Sequence, residues 1–167
     1  MKKFLTIVFF LISVLASAQS GFKQGYSGGL EVGGRANIGK QSAGGGEIDI
    51  LTVHGISYGD GSFIGIGTGL EKLLHSEGVS FPLFLEAKYV FFKSDLSPFV
   101  SARTGLELTI SEHNDICYFI NPSVGVNIHK YFFKVNYRFL GGAGNLDGGV
   151  TVPYKGHQIG FSFGKSF

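Results

Sequence analysis

The stretch "YFFKVNYRFL", residues 131–140, decides the fold. Tyr131, Phe133, Val135, Tyr137 and Phe139 share one parity; Phe132, Lys134, Asn136 and Arg138 share the other. A period of two belongs to an extended strand, whose successive side chains point to opposite faces. Alternation alone does not say which face meets solvent, and the rest of the chain has to decide that.

The same period recurs in eight segments, about 26–38, 47–58, 62–72, 81–91, 98–110, 116–128, 131–140 and 158–167, while helical spacing does not. Many alternating segments parted by turn residues predict antiparallel β-structure. In the second segment Ile48, Ile50, Ile56 and Tyr58 suggest one face but Leu51 and Val53 the other, so a bulge is expected near residues 50–52. Pro122 sits inside the sixth segment and fits best at a second bulge. Connections alternate in length. Residues 39–46, 72–80, 111–115 and 141–157 read as long polar or Gly-rich loops; "GDG" (59–61), "KSDLS" (93–97) and His129-Lys130 read as short turns.

Residues 1–18 read as an export signal. A basic Met1-Lys2-Lys3 precedes an apolar run from Phe4 to Leu15 and a small-residue cleavage site, Ala16-Ser17-Ala18. The run is shorter than the ~20 residues of a spanning helix. The expected domain is therefore residues 19–167. Charged residues are 16% of the chain, against about 25% in ordinary soluble domains. A net charge of +2 with no Lys/Arg cluster outside the signal gives no reason to expect nucleic acid. Cys117 is the one cysteine, so no intramolecular disulfide can hold the exported fold.

Four features settle the orientation. The polar faces hold small residues and charges of both signs: Glu31, Glu71, Glu86 and Glu107 against Arg35, Lys88, Arg103, Lys134 and Arg138. Such near-balance suits an enclosed network in which each charge needs a partner. The apolar face is continuous on every strand but the second, whereas a soluble barrel needs a charged exterior. Aromatics gather at the ends of that face: Tyr26, Tyr58, Tyr89, Phe91, Tyr131, Phe133 and Phe167 beside the short turns or termini, and Phe81, Tyr118 and Phe139 near the other rim. Finally, the chain stops on Phe167, in register with Phe161 and Phe163.

On the export signal, the eight amphipathic segments, the loop alternation and the terminal Phe, residues 22–167 resemble the small eight-stranded outer-membrane barrels of the OmpA/OmpX type. Lys165 departs from the pattern, since it stands where such chains usually carry a hydrophobe. The resemblance implies an all-β, eight-stranded antiparallel up-and-down transmembrane barrel in a Gram-negative outer membrane. It also implies a C-terminal strand, ending at Phe167, that the barrel-assembly machinery reads. The lipid-facing set is then Tyr26, Tyr89, Phe91, Tyr131, Phe133, Tyr137, Phe139, Phe161, Phe163 and Phe167, and the nine charges above form a network inside. A non-enzymatic structural or surface-interaction role follows, with any extracellular ligand met by the loops.

Chemistry is otherwise sparse. "GIGTGLEK" (65–72) lacks the following helix of a nucleotide loop, and its glycines recur at period two. Gly164-Lys165-Ser166 would need a glycine at position 159, which is Ile159. His75, His113 and His157 could converge at the outer loops, but no ligand-spaced pair predicts a metal, and no cofactor is expected. A lipid-modifying enzyme would need a set such as Ser162, His157 and Glu107 to meet near the rim. A soluble lipocalin-like barrel is the other alternative. The inner charges read either as an ion path or as a plug, and the narrow lumen of eight strands favours the plug.

Overall fold

The computed structural model describes residues 24–38, 45–74, 78–92, 94–110, 115–146 and 150–167, with backbone only for 143–146 and 150–154. The expected export signal, His75, His113 and the centres of loops 39–46, 72–80 and 111–115 lie outside the described residues. Eight strands follow in order: β1 Gly25–Asn37, β2 Gly46–Ser57, β3 Ser62–Leu73, β4 Val79–Val90, β5 Leu96–Ile110, β6 Asp115–Ile128, β7 Tyr131–Leu146 and β8 Val150–Ser166. Each pairs antiparallel with the next, and β1 pairs with β8, which closes the barrel. Closure leaves no unpaired sheet edge around the wall.

Residues 58–61, 91–95 and 129–130 make the short connections at one end, the turn end. Left-handed backbone at Gly59 (φ 76°), Gly61 (φ 101°) and His129 (φ 57°) reverses the chain there. At the other, loop end, the seventh connection differs from expectation. Residues 141–146 and 150–157 are strand rather than loop, and β7 and β8 stay in register from Tyr131↔Lys165 to Leu146↔Val150. Their glycines, read as loop punctuation, are small residues accommodated within a ladder.

Neither predicted bulge exists. β2 keeps one register with β1 from Gly25↔Ser57 to Ala36↔Gly46, and one with β3 throughout. Leu51 and Val53 point inward beside Glu47 and Asp49, while Ile48, Ile50 and Ile56 point outward. The parity conflict came from a lumen that is partly apolar. At Pro122 the β6–β7 ladder skips residues 121–122 and resumes in the same register at Ser123↔Asn136. Proline has no N–H to donate, and the gap absorbs that without an extra residue. Pro82 does the same between β3 and β4.

The polarity is that of a globular protein turned inside out. Ile66, Leu83, Val124, Phe161 and Phe163 are all more than half exposed on the outer wall, whereas Arg138 is fully buried. On β8 the outward band runs between two exposed lysines, Lys155 and Lys165. Ten residues of a strand tilted about 45° rise roughly 25 Å, the height of a hydrocarbon-facing band.

The lumen as candidate functional site

Inward positions alternate with the outer band, so each strand contributes a few side chains to the lumen. Two charged networks form. Near the loop end, Arg35 on β1 donates from Nη2 to Asp49 Oδ2 at 3.0 Å and to Glu71 Oε1 at 2.7 Å. Arg138 on β7 donates to Glu71 Oε2 at 2.9 Å and also to Glu107. Glu47 lies 3.4 Å from Arg35 Nε and 3.7 Å from Arg138 Nη1, and it accepts from Gln158 Nε2 at 2.5 Å.

Nearer the turn end, Arg103 on β5 grips Glu31 with both terminal nitrogens, at 2.6 and 2.7 Å. It reaches Glu86 from Nε at 3.0 Å and from Nη2 at 2.8 Å. Lys134 Nζ donates to Glu31 Oε2 at 2.8 Å. Two-pronged arginine–carboxylate contacts fix geometry as well as charge.

Apolar side chains pack against these networks. Leu51, Val53, Phe84, Phe119 and Leu140 form one buried cluster. Arg103 stacks on Phe84 at 4.7 Å and Arg138 on Phe119 at 4.1 Å, so the two networks press on the cluster through cation–π contacts. At the turn end Val90, Phe99 and Phe132 make a second cluster. Lys88 Nζ sits 4.1 Å from the Phe99 ring and 5.2 Å from Phe132, and donates to Asn127 Oδ1 at 3.1 Å. Inward glycines leave room for these rings. A methyl at Gly125 would lie 2.6 Å from Phe99 Cζ, and one at Gly164 would collide with Phe132. The glycines of "GIGTGLEK" serve this packing: Gly65 faces the Phe63 ring and Gly67 the Phe84 ring.

Eight of the nine charges expected inside are buried, and Lys88 is half-buried with its ammonium over the inner rings. Of the expected outward aromatics, Tyr26, Tyr89, Phe91, Tyr131, Phe133, Tyr137, Phe161 and Phe163 are exposed, and Phe139 and Phe167 half-buried. Phe167 closes the β1–β8 seam through reciprocal backbone hydrogen bonds with Gly28 at 2.9 Å. Sequence reasoning missed Glu47 and Asp49. Their alternation with Ile48 and Ile50 was the available signal, masked by the assumed bulge.

The enzyme set does not assemble. Ser162 points into the lumen and is buried, while His157 lies on the outer wall with Nδ1 2.5 Å from Tyr137 Oη. Glu107 is engaged with Arg138. Nearer the turn end, on β2, His54 contacts Tyr26 Oη at 2.5 Å and Thr52 Oγ1 at 2.9 Å.

No family model and no curated protein matches the chain in sequence. Solved structures do match in shape. Neisserial surface protein A aligns with a TM-score of 0.56 at 13% identity, over 84% of this chain and 95% of that one. The N-terminal β-barrel domain of OprF from Pseudomonas aeruginosa aligns with 0.54 at 16% identity, over 87% and 100%. The fold is that of the small eight-stranded outer-membrane barrels. At these identities the likeness is one of architecture; the chemistry has to be read from this chain's own lumen and wall.

Proposed function

We propose that the chain is an outer-membrane barrel of a Gram-negative bacterium, exported with residues 1–18 as a cleaved signal and residues 19–167 as the barrel. Its role is non-enzymatic: a sealed structural element whose loops meet any extracellular partner. One observation carries the membrane reading, the exposed apolar wall around a buried ionic interior. A closed barrel satisfies its own backbone groups, the condition for crossing hydrocarbon. A lipocalin-like barrel would need the opposite polarity. The seal is supported by the two apolar clusters across the lumen, and the non-enzymatic role by Ser162 and His157 facing opposite sides of the wall. The C-terminal strand ending at Phe167 is the segment we assign to the barrel-assembly machinery.

Cell fractionation tests the reading directly. The protein is expected with the outer membrane, released only by detergent, and faster on a gel before boiling than after. Recovery as a soluble periplasmic protein would overturn it.

A further inference from the structure

At the loop end of the outer wall, β6, β7 and β8 bring tyrosine, lysine and histidine side chains together where the apolar band stops. The ladders set Tyr118 opposite Gly141 and Gly141 opposite Lys155, so the three form one row across the wall. The next row toward the middle of the barrel sets Ile120, Phe139 and His157 side by side. The Tyr118 ring lies over Gly141, where a methyl would collide with its ring and hydroxyl. That glycine lets the hydroxyl cross from β6 onto β7, one strand short of Lys155.

Phe139 packs between Tyr118 and His157, at 6.5 Å and 5.3 Å between ring centroids. Tyr137 Oη lies 2.5 Å from His157 Nδ1. A hydroxyl that donates to Nδ1 fixes the tautomer with the proton on Nε2, so the exposed His157 ring keeps a donor for an outside group. Lys155 is exposed, and among the described residues no carboxylate pairs with it. An ammonium, an imidazole N–H and a phenol therefore share one patch. Toward the middle of the barrel the wall beside them is apolar, with Ile120, Ile159 and Phe161 exposed.

Donors set above an apolar column fit a lipid, with an anionic headgroup on the donors and acyl chains on the column. A phosphomonoester carries roughly two negative charges and three acceptor oxygens, which suits this donor set better than a diester does. We propose that Tyr118, Lys155 and His157, with Tyr137 holding the imidazole, bind the phosphomonoester headgroup of a membrane lipid whose acyl chains lie along Ile159 and Phe161. This inference rests on the outer-membrane reading above.

The full chain, folded in maltoside micelles that contain no phosphate, is titrated with dioleoyl phosphatidic acid while the side-chain NMR signals of Lys155 and His157 are followed. Saturable shifts at both are expected, with Lys165 at the turn end unchanged. Lys155→Gln should weaken the apparent affinity about fivefold or more, the effect of one lysine at an anionic lipid surface. Tyr137→Phe keeps Lys155 and the apolar wall but releases the imidazole, and should weaken binding as well. An equal response to dioleoyl phosphatidylglycerol would assign the patch to any anionic lipid, and an equal response to inorganic phosphate would make the chains irrelevant; either overturns the proposal. Shifts at Lys165 as large as those at Lys155 would reduce it to general interfacial charge and overturn it too. Fractionation decides the membrane reading separately: a chain that travels with the outer membrane but shows no preference for phosphatidic acid overturns this site alone.

Discussion

Removing the charge of Arg138 tests whether the lumen is sealed. Arg138 is fully buried, donates to Glu71 at 2.9 Å and to Glu107, and stacks 4.1 Å from Phe119. Arg138→Met keeps much of the stem's volume and deletes the charge. Glu71 retains Arg35 at 2.7 Å, but Glu107 loses its ion-pair partner and stays buried. Stranding one member of a buried pair costs about 3–5 kcal/mol. Glu107→Gln should cost far less, about 1 kcal/mol, because it removes an acid from an acid-rich network and keeps an acceptor. The double variant should therefore recover about 2 kcal/mol relative to the sum of the single changes, within the range for contacting residues. With no tryptophan in the chain, urea unfolding is read by far-ultraviolet circular dichroism and by the heat-sensitive gel shift. Arg138→Lys supplies a graded variant if Arg138→Met does not fold. Additivity within about 0.5 kcal/mol would mean that water reaches Glu107 and would refute the seal.

Two further outcomes follow from the same geometry. Phe161, 60% exposed near the middle of the outward band, should cost about 2–4 kcal/mol on replacement by arginine when the barrel is folded into lipid, against about 0–1 kcal/mol for Lys155→Arg at the rim; equal stability of the two variants would put that wall in water. In planar bilayers the wild-type protein should pass negligible current, whereas Phe84→Ala with Phe119→Ala, which removes the paired rings on which Arg103 and Arg138 stack, should give measurable steps. Steady wild-type conductance would refute the plug.

Strand number, closure and polarity were legible because period two is a strong local signal and recurs eight times. The lumen was only partly legible. "YFFKVNYRFL" announces Lys134, Asn136 and Arg138 because bulky aromatics flank them. In β2, inward Glu47 and Asp49 are followed by inward Leu51 and Val53, so the inner face changes character mid-strand and imitates a change of parity. Local pattern cannot report that, because Leu51 and Val53 are apolar to suit Phe84, Phe119 and Leu140 on other strands. Gly141–Leu146 was misread for a related reason. Glycine signals a loop in isolation, but here it continues a ladder whose partner, Lys155 to Val150, is supplied by β8. Which inner charges meet was also hidden: Glu31 finds Arg103 and Lys134, separated from it by 72 and 103 residues.

Those long separations explain why the interior is ionic when hydrophobes could fill it. Replacing a buried ion pair with apolar side chains is often neutral or stabilising, so stability alone does not account for the network. Register does. A slip of one residue turns every inward side chain outward. On β7 it would move Lys134 and Arg138 to the wall, at about 2–4 kcal/mol for a cation at mid-bilayer, would strand Glu107 in the lumen, and would leave Glu31 with Arg103 alone and Glu71 with Arg35 alone. An all-apolar β7 would pay almost nothing for the same slip. The contacts of Glu31 across the barrel to β5 and β7, and of Arg138 from β7 to β3 and β5, therefore pin strands that are not neighbours, which neither the ladders nor the outward apolar band can do.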